Sequence, residues 1–167
     1  MKTSRLWVYA TVSRMLPETR FFGLKTRLLR WCGARVGTNV RICSSARFYG
    51  GGELAIGDDV WIGGGGTIHP VAGASVKIGC CCDVGPEVLL LTGSHEIDPA
   101  GTHIAGRGTA ADVDVGNGSW LGARSVLLPG VKLAEKTLVA AGSVVSRSVL
   151  EPSCLVAGVP AVVKKSY

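Results

Sequence analysis

Residues 115–149 read VGNGSWLGARSVLLPGVKLAEKTLVAAGSVVSRSV. Stepping six residues at a time from Val115 lands on Leu121, Leu127, Leu133, Val139 and Val145, all aliphatic. The residues four places after each of these six are Ser119, Ser125, Val131, Thr137, Ser143 and Val149, all small or β-branched. A period of six suits neither an α-helix, which repeats at 3.6, nor an alternating strand, which repeats at 2. It suits a solenoid in which each hexad supplies a short strand and a corner, and three hexads close one triangular coil. The aliphatic residue then points inward onto its counterparts in the coils above and below, and the residue at +4 also points in, beside a corner.

The same phase runs upstream. Ile56, Ile62 and Ile68 are followed at +4 by Val60, Gly66 and Ala72; Ile78, Val84 and Leu90 by Cys82, Val88 and Ser94; Val36, Ile42 and Phe48 form a weaker set. Fifteen hexads, or five coils, result. Gly follows the aliphatic residue at 37, 57, 63, 79, 85, 116 and 122, which reads as a corner that needs permissive backbone dihedrals. Residues 69–77 hold a small insertion, and residues 96–112 (EIDPAGTHIAGRGTAAD) break the period and read as a loop thrown out from the coil. Residues 3–16 and 18–32, separated by Pro17, carry apolar residues at helical spacing, such as Phe21, Leu24 and Leu28, beside Arg20, Arg27 and Arg30. The expected organisation is a helical cap over 1–33 and a β-helix over 34–165.

Composition narrows the classes. The chain has 167 residues, 47% hydrophobic and 18% charged, which suits one folded domain rather than a disordered segment. No apolar run approaches the roughly 18 residues of a membrane span, and no basic-then-apolar leader opens the sequence, so a cytoplasmic protein is expected. The net charge of +6 is uneven: residues 1–50 hold ten Lys and Arg against Glu18 alone, so the rest of the chain is slightly acidic. Such asymmetry suits nucleic acid, anionic lipid or a phosphorylated ligand, but no nucleic-acid-binding motif accompanies it. The basic helical segment therefore has two readings, a cap or a peripheral membrane contact. Six cysteines, three of them adjacent at Cys80, Cys81 and Cys82, form no C-x-x-C pair and read as small apolar fillers in a reducing compartment.

The quoted run, with VAGVPAVVKK at 156–165 and LLTGSHEID at 90–98, resembles the hexapeptide-repeat acyltransferases, and within them the sugar and polysaccharide O-acetyltransferases of the colanic-acid, maltose and galactoside type. The resemblance spans about residues 34–165. It implies an all-β, left-handed parallel β-helix, an acetyl-CoA donor, a sugar hydroxyl as acceptor, no metal, and a homotrimer with active sites between subunits. It also implies that His95 is the general base. The repeat independently places His95 last in its hexad, facing outward where the extruded loop begins, and a neutral imidazole suits proton abstraction near neutral pH.

Other residues follow from position or resemblance. Glu96 and Asp98 are candidates for orienting the imidazole or binding a sugar hydroxyl, although relatives often orient it with a backbone carbonyl. His103 lies in the loop as an acceptor-side candidate, and His69 beside Pro70 reads as structural. By resemblance Trp120, Ala123, Ala141 and Ser146 line the pantetheine arm of coenzyme A. Backbone amides around Gly122 and Ala123 are oxyanion candidates. Arg147, Lys164 and Lys165 suit its phosphates; relatives carry an arginine where Val162 stands. Two competing classes remain, a β-helix zinc enzyme built on three imidazoles and a non-catalytic β-helix scaffold.

Overall fold

The computed structural model describes all of residues 1–167. Three parallel sheets form the walls of a triangular prism. Wall A contains β1 (Arg35–Val36), β4 (Glu53–Ile56), β7 (Ser75–Ile78), β12 (Val113–Val115) and β15 (Lys132–Leu133). Wall B contains β2 (Arg41–Ile42), β5 (Trp61–Ile62), β8 (Asp83–Val84), β13 (Trp120–Leu121), β16 (Leu138–Val139), β18 (Cys154–Gly158) and β19 (Ala161–Ser166). Wall C contains β3 (Arg47–Phe48), β6 (Thr67–His69), β9 (Leu89–Leu91), β14 (Val126–Leu127) and β17 (Val144–Val145). The chain runs A to B to C in each of five coils, as the hexad phase predicts.

The pairing register stacks the aliphatic series. Ile56, Ile78, Val115 and Leu133 align on wall A, Ile42, Ile62, Val84, Leu121 and Val139 on wall B, and Phe48, Ile68, Leu90, Leu127 and Val145 on wall C. All are buried, and each such side chain contributes about 1.5–3 kcal/mol relative to exposure. Among the +4 residues, Val60, Cys82, Ser119, Ser125, Thr137 and Ser143 are buried, whereas Ala72 and Ser94 are exposed. These two fall where the chain has already left the coil.

The corners work differently from the expectation. None of the glycines that follow the aliphatic residue has a positive φ. A Cβ on Gly122 would sit 2.5 Å from Ala141 N, and one on Gly79 2.7 Å from Asn117 N, so these positions need glycine because the next coil's backbone comes too close. The left-handed residue stands two places later, and it is usually not glycine: Asn39, Asp59, Cys81, Glu87 and Arg124, with Lys136 in the same place after Ala134. The cysteine triplet thus spans three environments. Cys80 is half-buried, Cys81 is exposed at the left-handed position, and Cys82 is buried, with its thiol pKa raised by burial.

Two departures from the solenoid are ordered strands. The segment expected as a loop over 96–112 is an antiparallel hairpin, β10 (Gly93–Ile97) and β11 (Ala105–Ala110), and it leaves the coil at Gly93. After Val149 the chain adds one more strand to wall B as β18 and then reverses into β19, which runs antiparallel along it.

Helix α1 (Thr3–Arg14) buries Leu6, Tyr9 and Ser13, and α2 (Phe22–Trp31) buries Lys25, Thr26 and Leu29. Leu6, Tyr9 and Leu29 join the same hydrophobic cluster as the coils. The face marked by Phe21 and Leu24 is not the buried one; both are exposed. Lys25 takes the inner place because its ammonium donates to Glu18 O at 3.1 Å and Ser44 Oγ at 3.0 Å, with its pKa lowered by desolvation. Neither helix is long and apolar enough to cross a membrane.

Candidate functional site

His95 stands on β10, exposed, three residues before the hairpin turn. Its Nδ1 lies 2.9 Å from the carbonyl oxygen of Gly106 on the opposing strand. A carbonyl only accepts, so in the neutral imidazole Nδ1 carries the proton and Nε2 is left as an acceptor. The two carboxylates have other partners. Glu96 accepts from Arg107 Nη2 at 2.7 Å, and Asp98 accepts from the backbone of Ala100 and Gly101, closing the turn. His103 lies in that turn, exposed. His69 packs its ring edge-on to Tyr49, with centroids 6.1 Å apart, and its carbonyl accepts from Thr92 Oγ1. No three His, Cys, Asp or Glu side chains converge as a metal site.

The remaining candidates fall into three places. Ala123 and Ala141 lie on the edge between walls B and C, in an open groove of about 540 Å³ that Pro86, Glu87, Arg124 and Gly142 also line. Arg124 closes one side of it through an ion pair with Glu87 at 2.7 Å, and this pair lowers the Glu87 pKa. Of the two amides singled out as oxyanion candidates, Gly122 N–H already donates to Val139 O at 2.8 Å, whereas Ala123 N–H makes no hydrogen bond in the chain. Trp120 is 56% exposed on wall B, between Asp83 and Leu138 in the register. Ser146 and Arg147 follow β17 and so share the edge between walls C and A with the His95 hairpin. Lys164 and Lys165 lie on β19, exposed, with Lys165 Nζ 4.6 Å from the Tyr167 ring centroid. Within one chain the histidine and the small-residue groove therefore occupy different edges of the prism.

A parallel β-solenoid that throws a histidine-bearing hairpin from one edge and runs a small-residue groove along another defines a hexapeptide-repeat enzyme. The comparisons agree. WcaF of Escherichia coli K12, named as a colanic acid biosynthesis acetyltransferase, is 31% identical over 161 residues, covering 95% of this chain and 84% of WcaF. Galactoside O-acetyltransferase of the same organism is 28% identical, over 80% of this chain and 64% of that protein. A hexapeptide-repeat acetyltransferase of Vibrio cholerae, solved with acetyl coenzyme A, superposes with a TM-score of 0.81 at 24% identity, covering 98% and 86% of the two chains. No family model matches the chain. The chain belongs to the hexapeptide-repeat acetyltransferase family of which WcaF is a member.

Proposed function

We propose that this protein transfers an acetyl group from acetyl-CoA to a sugar hydroxyl in the synthesis of a polysaccharide or its precursor, with His95 as general base. The observation that carries the proposal is the Nδ1–Gly106 carbonyl contact, which leaves Nε2 as a proton acceptor on an exposed hairpin. The acceptor hydroxyl gives its proton to His95 Nε2 as its oxygen attacks the thioester carbonyl carbon. The tetrahedral oxyanion is met by a backbone donor, for which Ala123 N–H is free. Collapse breaks the C–S bond, and the imidazolium returns the proton to the sulfur, giving ester and free thiol. The B–C groove suits the pantetheine arm because Ala123, Ala141 and Gly142 leave it open. Arg147, Lys164 and Lys165 are cations without carboxylate partners and suit the nucleotide phosphates.

The separation of histidine and groove supports a homotrimer in which the C–A edge of one subunit faces the B–C edge of the next. The outward residues support it too. On wall C, Leu89, Val126 and Val144 form a half-buried aliphatic column, whereas wall A presents Lys77, Asp114 and Lys132.

The test is thiol release from acetyl-CoA with a panel of sugars, comparing wild type with His95→Ala. The variant is expected to lose about 10²- to 10⁴-fold in kcat while acetyl-CoA binding is kept. Undiminished acceptor-dependent turnover in the variant would remove His95 from the chemistry.

A further inference from the structure

A cavity of about 450 Å³ lies between α1 and the first coil, within the range of small-molecule sites. Its walls include Leu6, Tyr9 and Ala10 from the helix and Phe48 from β3, and Tyr9 and Phe48 meet edge to face with centroids 5.5 Å apart. The Tyr9 hydroxyl is buried without a hydrogen-bond partner. Two arginines, Arg14 from α1 and Arg47 from β3, also line the cavity. Neither has an ion pair, a hydrogen bond or an aromatic ring to rest on. Arg5 rests on Trp31, Arg30 on the carbonyls of Val36 and Gly37, Arg35 on Glu53 and Arg41 on Trp61, whereas Arg20 and Arg27, also without partners, do not line the cavity. An apolar cavity with two unpaired guanidinium groups is complementary to an anion that carries an apolar tail.

The cavity also lies in line with the histidine. Gly50, on its wall, lies so close to the second coil that a Cβ there would be 2.1 Å from Pro70 O. The next residue, Val71, donates its N–H to Thr92 Oγ1 at 2.8 Å, and its side chain abuts Gly93, the base of the His95 hairpin. Strands β3, β6 and β9 are consecutive in wall C, so the hairpin base lies about 10 Å from the cavity's own strand.

We propose that this cavity seats the apolar tail of a lipid phosphate, that Arg14 and Arg47 hold its phosphate, and that the sugar it carries extends along the C–A edge to His95. The proposal deepens the O-acetyltransferase reading by making the acceptor a lipid-linked sugar phosphate. Its binding half stands apart from catalysis.

The experiment is calorimetric titration of the full chain with dodecyl phosphate below its micellar concentration, alongside dodecanol and inorganic phosphate. Three proteins are compared: wild type, Arg14→Ala/Arg47→Ala, and Ala10→Trp, which fills the cavity and leaves both charges. Circular dichroism and thermal stabilisation by acetyl-CoA report on the fold and the donor site of each. Dodecyl phosphate is expected to bind wild type once per chain, at least tenfold more tightly than either half-ligand, and each variant is expected to lose at least tenfold. No binding of dodecyl phosphate, equal binding of dodecanol, or unchanged binding in the arginine variant would overturn the lipid-phosphate site. Binding of dodecyl phosphate without stabilisation by acetyl-CoA would support the site and count against the transferase reading. For the acceptor half, kcat/KM on dodecyl phosphoglucose should exceed that on methyl glucoside at least tenfold, and the arginine variant should lose the preference. Equal turnover of the two would overturn that half.

Discussion

His95 has its tautomer set by a main-chain carbonyl, and the carboxylate next to it in sequence is spent on Arg107. A main-chain partner cannot be removed by changing a side chain, so the histidine's orientation should tolerate the loss of its acidic neighbours. Glu96→Gln is therefore expected to change kcat/KM by less than about fivefold, the scale of an exposed ion pair of about 1 kcal/mol. A loss of a hundredfold or more in a steady-state assay would show that the carboxylate acts on the imidazole. At this scale the sequence carries only half of the arrangement. The outward phase of His95 follows from the hexad count, but its partner is a carbonyl of Gly106, eleven residues away across a hairpin, and a carbonyl has no signature in residue type. The Tyr9, Arg14 and Arg47 grouping is hidden for a similar reason, since it forms only when α1 folds onto a strand more than thirty residues downstream.

Corners and hairpins decide the behaviour of the elements. Asp112, at the start of wall A's fourth strand, accepts from Ser75 N–H at 2.7 Å and Ser75 Oγ at 2.9 Å, pinning the return of the hairpin to the coil below. These hydrogen bonds hold its carboxyl below the usual carboxylate range. A group depressed in the folded state stabilises the fold above its unfolded pKa, near 3.9, and that stability is lost as the pH falls through the lower folded value. Asp112→Asn should cost about 1 kcal/mol at neutral pH, given the group's exposure. The difference from wild type in urea unfolding should shrink steadily below about pH 4; a pH-independent difference would mean the charge contributes nothing. The coil strands are legible because each hexad repeats one aliphatic phase. The hairpin is not, because β11 reads AGRGTA, without apolar alternation and with Thr109 as its one β-branched residue, and the links that join it to β10 are backbone pairing, one exposed ion pair and the His95–Gly106 contact. The reversal at β19 has no sequence signal of this kind, because the hexad phase ends at Val149 and says nothing about the direction of the strands that follow.

At the scale of the molecule the prism has unlike walls. The charged ladder of wall A is at ease in water, and the aliphatic column Leu89, Val126 and Val144 on wall C is what a neighbouring copy would cover. Val126→Glu places a charge in the middle of that column without touching the buried core. Light scattering is expected to show the mass falling from three chains to one, with thiol release down at least tenfold and the far-ultraviolet spectrum retained. A monomer of full activity would overturn the shared site. The hexads imply the prism but not which wall meets a partner, because the residues that face out vary freely in size and charge while those that face in repeat.

The way the stack ends has a consequence of its own. Parallel coils offer unpaired amide and carbonyl groups at each end, and a second prism docking there would extend the sheets and expose the same groups again, so growth into a fibre would have no natural limit. In this chain β19 turns back along wall B at one end, and α1 and α2 lie over the first coil at the other. Neither end therefore presents three parallel strand edges on which a second prism could continue the coil, which works against end-to-end growth.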